Sequence, residues 1–248
     1  MIGPLSKDID GIELFMKVVT TSRPWLLEPA LLPLPWTPYR VNPMGRPLKI
    51  AIMWHDDVVL PHPPITRALK TMESKLRDVP NMSVSRWKPY LHDKAWDIIS
   101  CLYYPDGGDA DTDLLNQAGE PILPLTKWIK ENPCVKTLSF GELYYWKAER
   151  EAYRKQYAKI WNDTADEASG EVDAILCPVG PGLAPKHETA KYWGYTSQWN
   201  LLDYPAIVFP VCKAHADIDR KERATKPMTD VDKDNWDLCK PALYDLIR

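Results

Sequence analysis

No stretch of the 248 residues holds the roughly 18 consecutive apolar side chains that a membrane helix needs, so no membrane partner is expected. The opening residues Met1 to Asp8 lack a basic region followed by an apolar one, which excludes a secretory leader of the usual kind. No two of the five cysteines (Cys101, Cys134, Cys177, Cys212, Cys239) form a CxxC pair, so neither a zinc ribbon nor a thioredoxin-type site is encoded. Scattered thiols in odd number fit a reducing compartment, and five free cysteines in a cytoplasmic protein are expected. An excess of one charge is missing too. With 31 Lys+Arg against 34 Asp+Glu the net charge is −3, which gives nucleic acid or an anionic surface nothing to bind.

The usual catalytic patterns are absent as well. No serine sits on a Gly-x-Ser-x-Gly turn, and the 11 glycines never cluster around one. The histidines (His55, His62, His92, His187, His215) form no H-E-x-x-H and no i,i+4 pair. Gly107-Gly108 and Gly180-Pro181-Gly182 lack the lysine and the third glycine of a phosphate cradle, and no cofactor is expected. His55-Asp56-Asp57 is expected to be a charged loop without a metal. Cys177 could pair with His187 as a thiolate nucleophile, but a lone cysteine at a strand end is more often a buried apolar residue.

What is present is a folded-domain composition, 45% hydrophobic and 26% charged, with 24 prolines and 11 tryptophans. Ile9, Ile12, Phe15, Met16 and Val19 recur at helical spacing, and the helix they predict must end before Pro24. From Pro24 to Pro47 seven prolines interleave with Trp25, Leu31, Leu32, Leu34 and Trp36, which predicts an ordered loop laid across a surface. The runs Lys49–Trp54, Ala174–Val179 and Ala206–Val211 are short and apolar throughout, as in strands buried on both faces. Ile65, Ala68, Leu69, Met72 and Leu76 predict a helix, and Ser83–Trp87 a second strand. Strand, helix, strand in about forty residues is a βαβ unit, so an α/β fold with a mixed, mostly parallel sheet flanked by helices is expected. Helices are also predicted over 94–104, from Ser139 to about Ala168 behind a Ser139/Glu142 capping box, and over 197–204. Past His215 no period remains, and residues 214–248 are expected to be a polar tail, loop or in part disordered, behind one domain at 1–213.

Several phrases together resemble one family. Gly3-Pro4-Leu5-Ser6 ahead of an apolar helix, Leu34-Pro35-Trp36, Met53–Val58, Pro61–Leu69, Tyr104–Gly108, Leu176–Gly182 and the run Tyr195–Ala206 are similar, in this order, to segments of the amidase signature family. The likeness is to its fungal general amidase or acetamidase branch, and covers residues 3 to about 213. The resemblance implies a partial amidase signature fold and hydrolysis of a small carboxylic amide to acid plus ammonia or amine. In the family a serine nucleophile, a second serine on a cis peptide and a lysine do the chemistry, with backbone N–H groups holding the oxyanion. Those groups lie on a Gly/Ser-rich segment and an upstream lysine that no run here matches, so no catalytic residue is carried over. The family's last strand also has no equivalent after Pro241.

By the same resemblance the loops at Cys177–Gly182 and Trp193–Asn200 wall the substrate pocket, with Cys177, Gly180, Trp193, Tyr195 and Asn200 as binding candidates. As plain sequence, Trp193, Tyr195 and Trp199 equally fit core aromatics. The chain is expected to be an amidase fragment, inactive alone, with a bare sheet edge through which it self-associates. The alternatives are a binding module that keeps the half-fold, and an enzyme using Cys177 and His187.

Overall fold

In the computed structural model, which describes residues 3–37, 45–166, 170–220 and 226–239, the most buried apolar run becomes the middle of a sheet. Strand β1 (Leu48–Ile52) pairs in parallel with β2 (Met82–Arg86) on one side and with β3 (Ala174–Leu176) on the other. The order is therefore β2-β1-β3, and the expected βαβ unit is β1, helix α2 (Pro63–Arg77), β2. Ala51, Ile52 and Met53 are buried because β1 alone has a neighbour on each side. The sheet, expected to be mostly parallel, is parallel throughout the described residues.

Helices cover it. Proline at the first two positions of α2 removes N–H groups that a helix start leaves unpaired anyway. Helix α3 (His92–Tyr103) buries Ala95, Ile98, Ile99 and Cys101, and packs on α6 (Phe140–Asn162) and α7 (Gly194–Leu202). At the start of α6, the Ser139 hydroxyl accepts from Glu142 N and the Glu142 carboxylate accepts from Ser139 N, as the capping box predicts. The core they enclose is aromatic: Trp87, Tyr153, Tyr157 and Tyr195 are buried, with Trp161, Trp199 and Tyr204 packed against them. Clamps hold the sheet's entry, where Arg46 makes a two-pronged ion pair with Asp173 and Lys49 Nζ reaches Asp166 at 2.8 Å.

Residues 1–45 form a second compact unit. There α1 (Ile9–Thr21) starts on Asp8, whose side chain accepts from Gly11 N at 2.9 Å. None of its residues is buried, and Leu14, Phe15 and Val18 are exposed. Pro24–Leu26 makes a single 3-10 turn. Leu27, Leu32 and Leu34 of the proline-rich stretch are exposed as well, and its residues 38–44 lie outside the described ones.

Several expectations need correction. The run Ala206–Val211 belongs to no strand, and β3 is three exposed or half-exposed residues rather than a strand buried on both faces. Both lack neighbours enough for a full ladder. Helix α6 stops at Asn162, where Thr164 Oγ1 takes Trp161 O, instead of running to 168. Two polar helices went unforeseen, α4 (Asp109–Ala118) and α5 (Pro124–Lys130), and α4 buries nothing that would leave a period. The polar tail contains a further helix, α8 (Asp230–Asp237); its residues 221–225 and 240–248, Pro241 among them, lie outside the described ones. Finally, Cys101 and Cys134 form a disulfide between α3 and the turn after α5, so the expectation of five free thiols fails.

Candidate functional site

In an open parallel sheet the crevice forms outside the carboxyl ends of the strands, where the strand order reverses. That point here is the β1/β3 boundary, because the chain leaves β1 for β2 on one side while β3 lies on the other. Two segments meet there: residues 53–62 after β1 and 177–182 after β3. Met53 N donates to Leu176 O at 3.0 Å and His62 N to Pro181 O at 2.6 Å, so the two segments are stitched at both ends. Gly182 makes the second contact feasible, since a Cβ there would lie 2.9 Å from His62 Nδ1.

Residues 53–62 are held from three directions. Asp56 is fully buried; its Oδ1 accepts from Val58 N and Val59 N, and its Oδ2 accepts from the Tyr192 hydroxyl. Tyr195 OH donates to Val59 O at 2.6 Å. From the α8 side, Thr229 Oγ1 donates to Val58 O, Asp232 accepts from Leu60 N, and His62 Nε2 lies 3.0 Å from Asn235 O. Burial pushes the Asp56 carboxyl above its ordinary range and raises the Tyr192 and Tyr195 phenols, so all three act as hydrogen-bonding struts.

The structure brings some of the candidate residues together and spreads others. Cys177 follows β3 directly and is half-buried; burial pushes its thiol up to about 12, which keeps it protonated near neutral pH. His187 is exposed. Gly180 is half-buried with open space where a Cβ would be. Trp193 meets Trp96 and Trp128 edge-on, and its Nε1 donates to Ala190 O. Tyr195 is 1% exposed, at the buried end of the set. Asn200 is exposed and hydrogen-bonds the Tyr103 hydroxyl. His55 Nδ1 sits 3.1 Å from Asp57 Oδ1, while Asp56 spends its carboxylate on the donors above. Among the described residues no three His, Cys, Asp or Glu side chains gather as a metal would need.

Sequence reasoning missed Asp56 with Tyr192, and Asp232 with Leu60. One signal was available: Thr229-x-x-Asp232 is a helix-start pattern, and Thr229 Oγ1 does accept from Asp232 N at 3.0 Å. The Asp56–Tyr192 contact spans 136 residues and has no local signature. Among the described residues no helix is long and apolar enough to cross a membrane.

A parallel α/β sheet, with the segments after β1 and β3 joined at its switch point, agrees with the resemblance carried by the motifs. A family model described as Amidase matches residues 1–232. The chain belongs to the amidase family. It is 41% identical to an amidase of Schizosaccharomyces pombe over 244 residues, which are 98% of this chain and 44% of that protein. It is also 32% identical to an acetamidase of Emericella nidulans, over 94% of this chain and 43% of the acetamidase. Among solved structures a fatty acid amide hydrolase matches with a TM-score of 0.87 and 27% identity, covering 98% of this chain and 42% of the other. The chain thus spans less than half the length of these relatives.

Proposed function

We propose that this chain is the pocket-wall part of an amidase, an enzyme that hydrolyses a small carboxylic amide to acid plus ammonia or amine. In this reading the loop at 177–182 and the segment 193–200 at α7 bind and orient the amide through Cys177, Gly180, Trp193 and Asn200, with Tyr195 behind them as a strut. The nucleophile, its bridging serine and the lysine base come from polypeptide outside these 248 residues.

One observation carries the reading: the family match spans residues 1–232, yet no Gly/Ser-rich run occurs anywhere in the chain. The protonated thiol of Cys177 leaves no substitute nucleophile there. The roles follow from chemistry. An acyl-transfer site needs a rigid wall, so that binding energy goes into orientation rather than into ordering loops. The buried struts on residues 53–62 supply that rigidity.

The test is ammonia release from acetamide and benzamide. The purified chain is expected to give none. Turnover that persists in Cys177→Ala would overturn the proposal, and turnover abolished by that change would establish a thiol enzyme instead.

A further inference from the structure

Helices α4 and α5 do not hold their own place. Helix α4 buries no residue, and α5 is seven residues long, below the length at which a helix sustains itself in water. The lobe they form is tied at its neck instead. Leu138 N donates to Pro105 O at 2.8 Å, and Thr137 Oγ1 donates to Asp106 O at 3.1 Å. Within the lobe the Lys130 ammonium donates to Gly108 O and to Thr112 Oγ1, which joins α5 to the start of α4. The covalent tie is the Cys101–Cys134 disulfide, from the last turn of α3 to the turn after α5.

Each sulfur lies beside a contact to the candidate pocket wall. Just before Cys134, Trp128 on α5 meets Trp193 edge-on, with ring centroids 5.3 Å apart and planes at 74°. Two residues after Cys101, the Tyr103 hydroxyl hydrogen-bonds Asn200. The bond between the sulfurs therefore fixes the spacing of the two elements that press on α7.

The sulfurs are unequally reachable. Cys101 is 1% exposed, whereas Cys134 is half-buried, so an incoming thiolate meets Cys134. One sulfur of a dithiol reductant bonds to Cys134, the Cys101–Cys134 bond breaks, and Cys101 leaves as a thiolate and takes a proton. The second sulfur of the dithiol then displaces Cys134, which takes the other proton. Two electrons pass to the protein, and the dithiol becomes a disulfide.

We propose that the Cys101–Cys134 disulfide is a redox-sensitive latch. Oxidised, it holds Trp128 against Trp193 and Tyr103 against Asn200; a dithiol acting at Cys134 releases the α4–α5 lobe from that wall. The substrate-binding role of Trp193 and Asn200 comes from the amidase reading above, whereas the latch stands on the disulfide and the two contacts.

The experiment follows the full chain before and after dithiothreitol, by thiol counting, amide hydrogen exchange and the indole N–H resonance of Trp193, assigned with Trp193→Phe. In denaturant, three cysteines should react with a maleimide before reduction and all five after it. Exchange across α5 should quicken about 10-fold on reduction and stay unchanged at β1. The Trp193 resonance should move to where Trp128→Leu places it in the oxidised chain. Cys134→Ser should show the reduced behaviour without any reductant, while Cys212→Ser, which removes an exposed free thiol, should behave as the parent.

Five reactive thiols before reduction, unchanged exchange across α5, an unmoved Trp193 resonance, or quickening that spreads equally to β1 would each overturn the latch. A benzamide titration in both states separates the latch from the amidase reading. A Trp193 shift larger in the oxidised chain supports both. No shift in either state sinks the pocket-wall role and leaves the latch standing; an equal or larger shift in the reduced chain overturns the latch's hold on the wall.

Discussion

Strand β1 and the run Ala206–Val211 are both mostly apolar and have opposite fates. In β1, Ala51 and Ile52 are buried to 1% exposure or less, paired on both sides; at 207–209 three large apolar residues face solvent. An apolar run therefore specifies a strand only together with its neighbours. Residues 48–52 find them within the chain, at β2 and β3. Among the described residues, 206–211 find none.

The largest expected effect tests that contrast directly. Ile52→Ala should cost about 3 kcal/mol in a chemical denaturation, because it leaves a cavity at a fully buried position on one face of the sheet. Val208→Ala should shift the same curve by less than about 0.5 kcal/mol, as an exposed position does. Equal costs at the two positions would erase the distinction.

Next in size is a pH effect from the body that encloses β1. His92, at the first position of α3, is 3% exposed, and neither ring nitrogen has a hydrogen-bond partner among the described residues. Burial lowers its pKa from 6.5 to about 4, partly opposed by Asp93. The unfolded chain therefore takes up this proton first as pH falls. The stability tied to neutral His92 is complete above about pH 6.5 and is lost between there and about pH 4, an amount near 3 kcal/mol. Denaturation curves across that range should show it, and His92→Leu should flatten it. An unchanged slope in the variant would mean that the imidazole is hydrated.

The smallest effect concerns the anchor of the exposed run. Arg67→Ala unpairs Asp219, which Arg67 holds below the usual carboxylate range, and releases Lys213 O. The cost should be about 1–2 kcal/mol. More telling, amide exchange should quicken at His215, whose N–H donates to Asp219, and stay unchanged at β1.

How much of this was legible in the residues follows the same logic. β1, α2, β2 and α3 were visible because their apolar residues recur with the period of a strand or of a helix. The capping box announced α6, and the strand-end position of Cys177–Gly182 marked one wall of the crevice. The opposite wall stayed hidden. Asp56 owes its role to a tyrosine 136 residues away, and an aspartate in a loop looks the same on paper whether solvated or fully enclosed. Helices α4 and α5 were hidden for a different reason: exposed all round or only seven residues long, they impose no period. The Cys101–Cys134 pair follows no spacing rule, since the 32 residues between them (102–133) return through two helices.

That closed ring has a consequence of its own. Helices α4 and α5, with the exposed link Gly119–Leu123 between them, all lie inside the covalent circle drawn by the two sulfurs. A protease that clips the link produces two polypeptides but still one molecule. The pieces stay joined until a reductant opens the bridge, so the protein can be nicked in this exposed link without shedding mass.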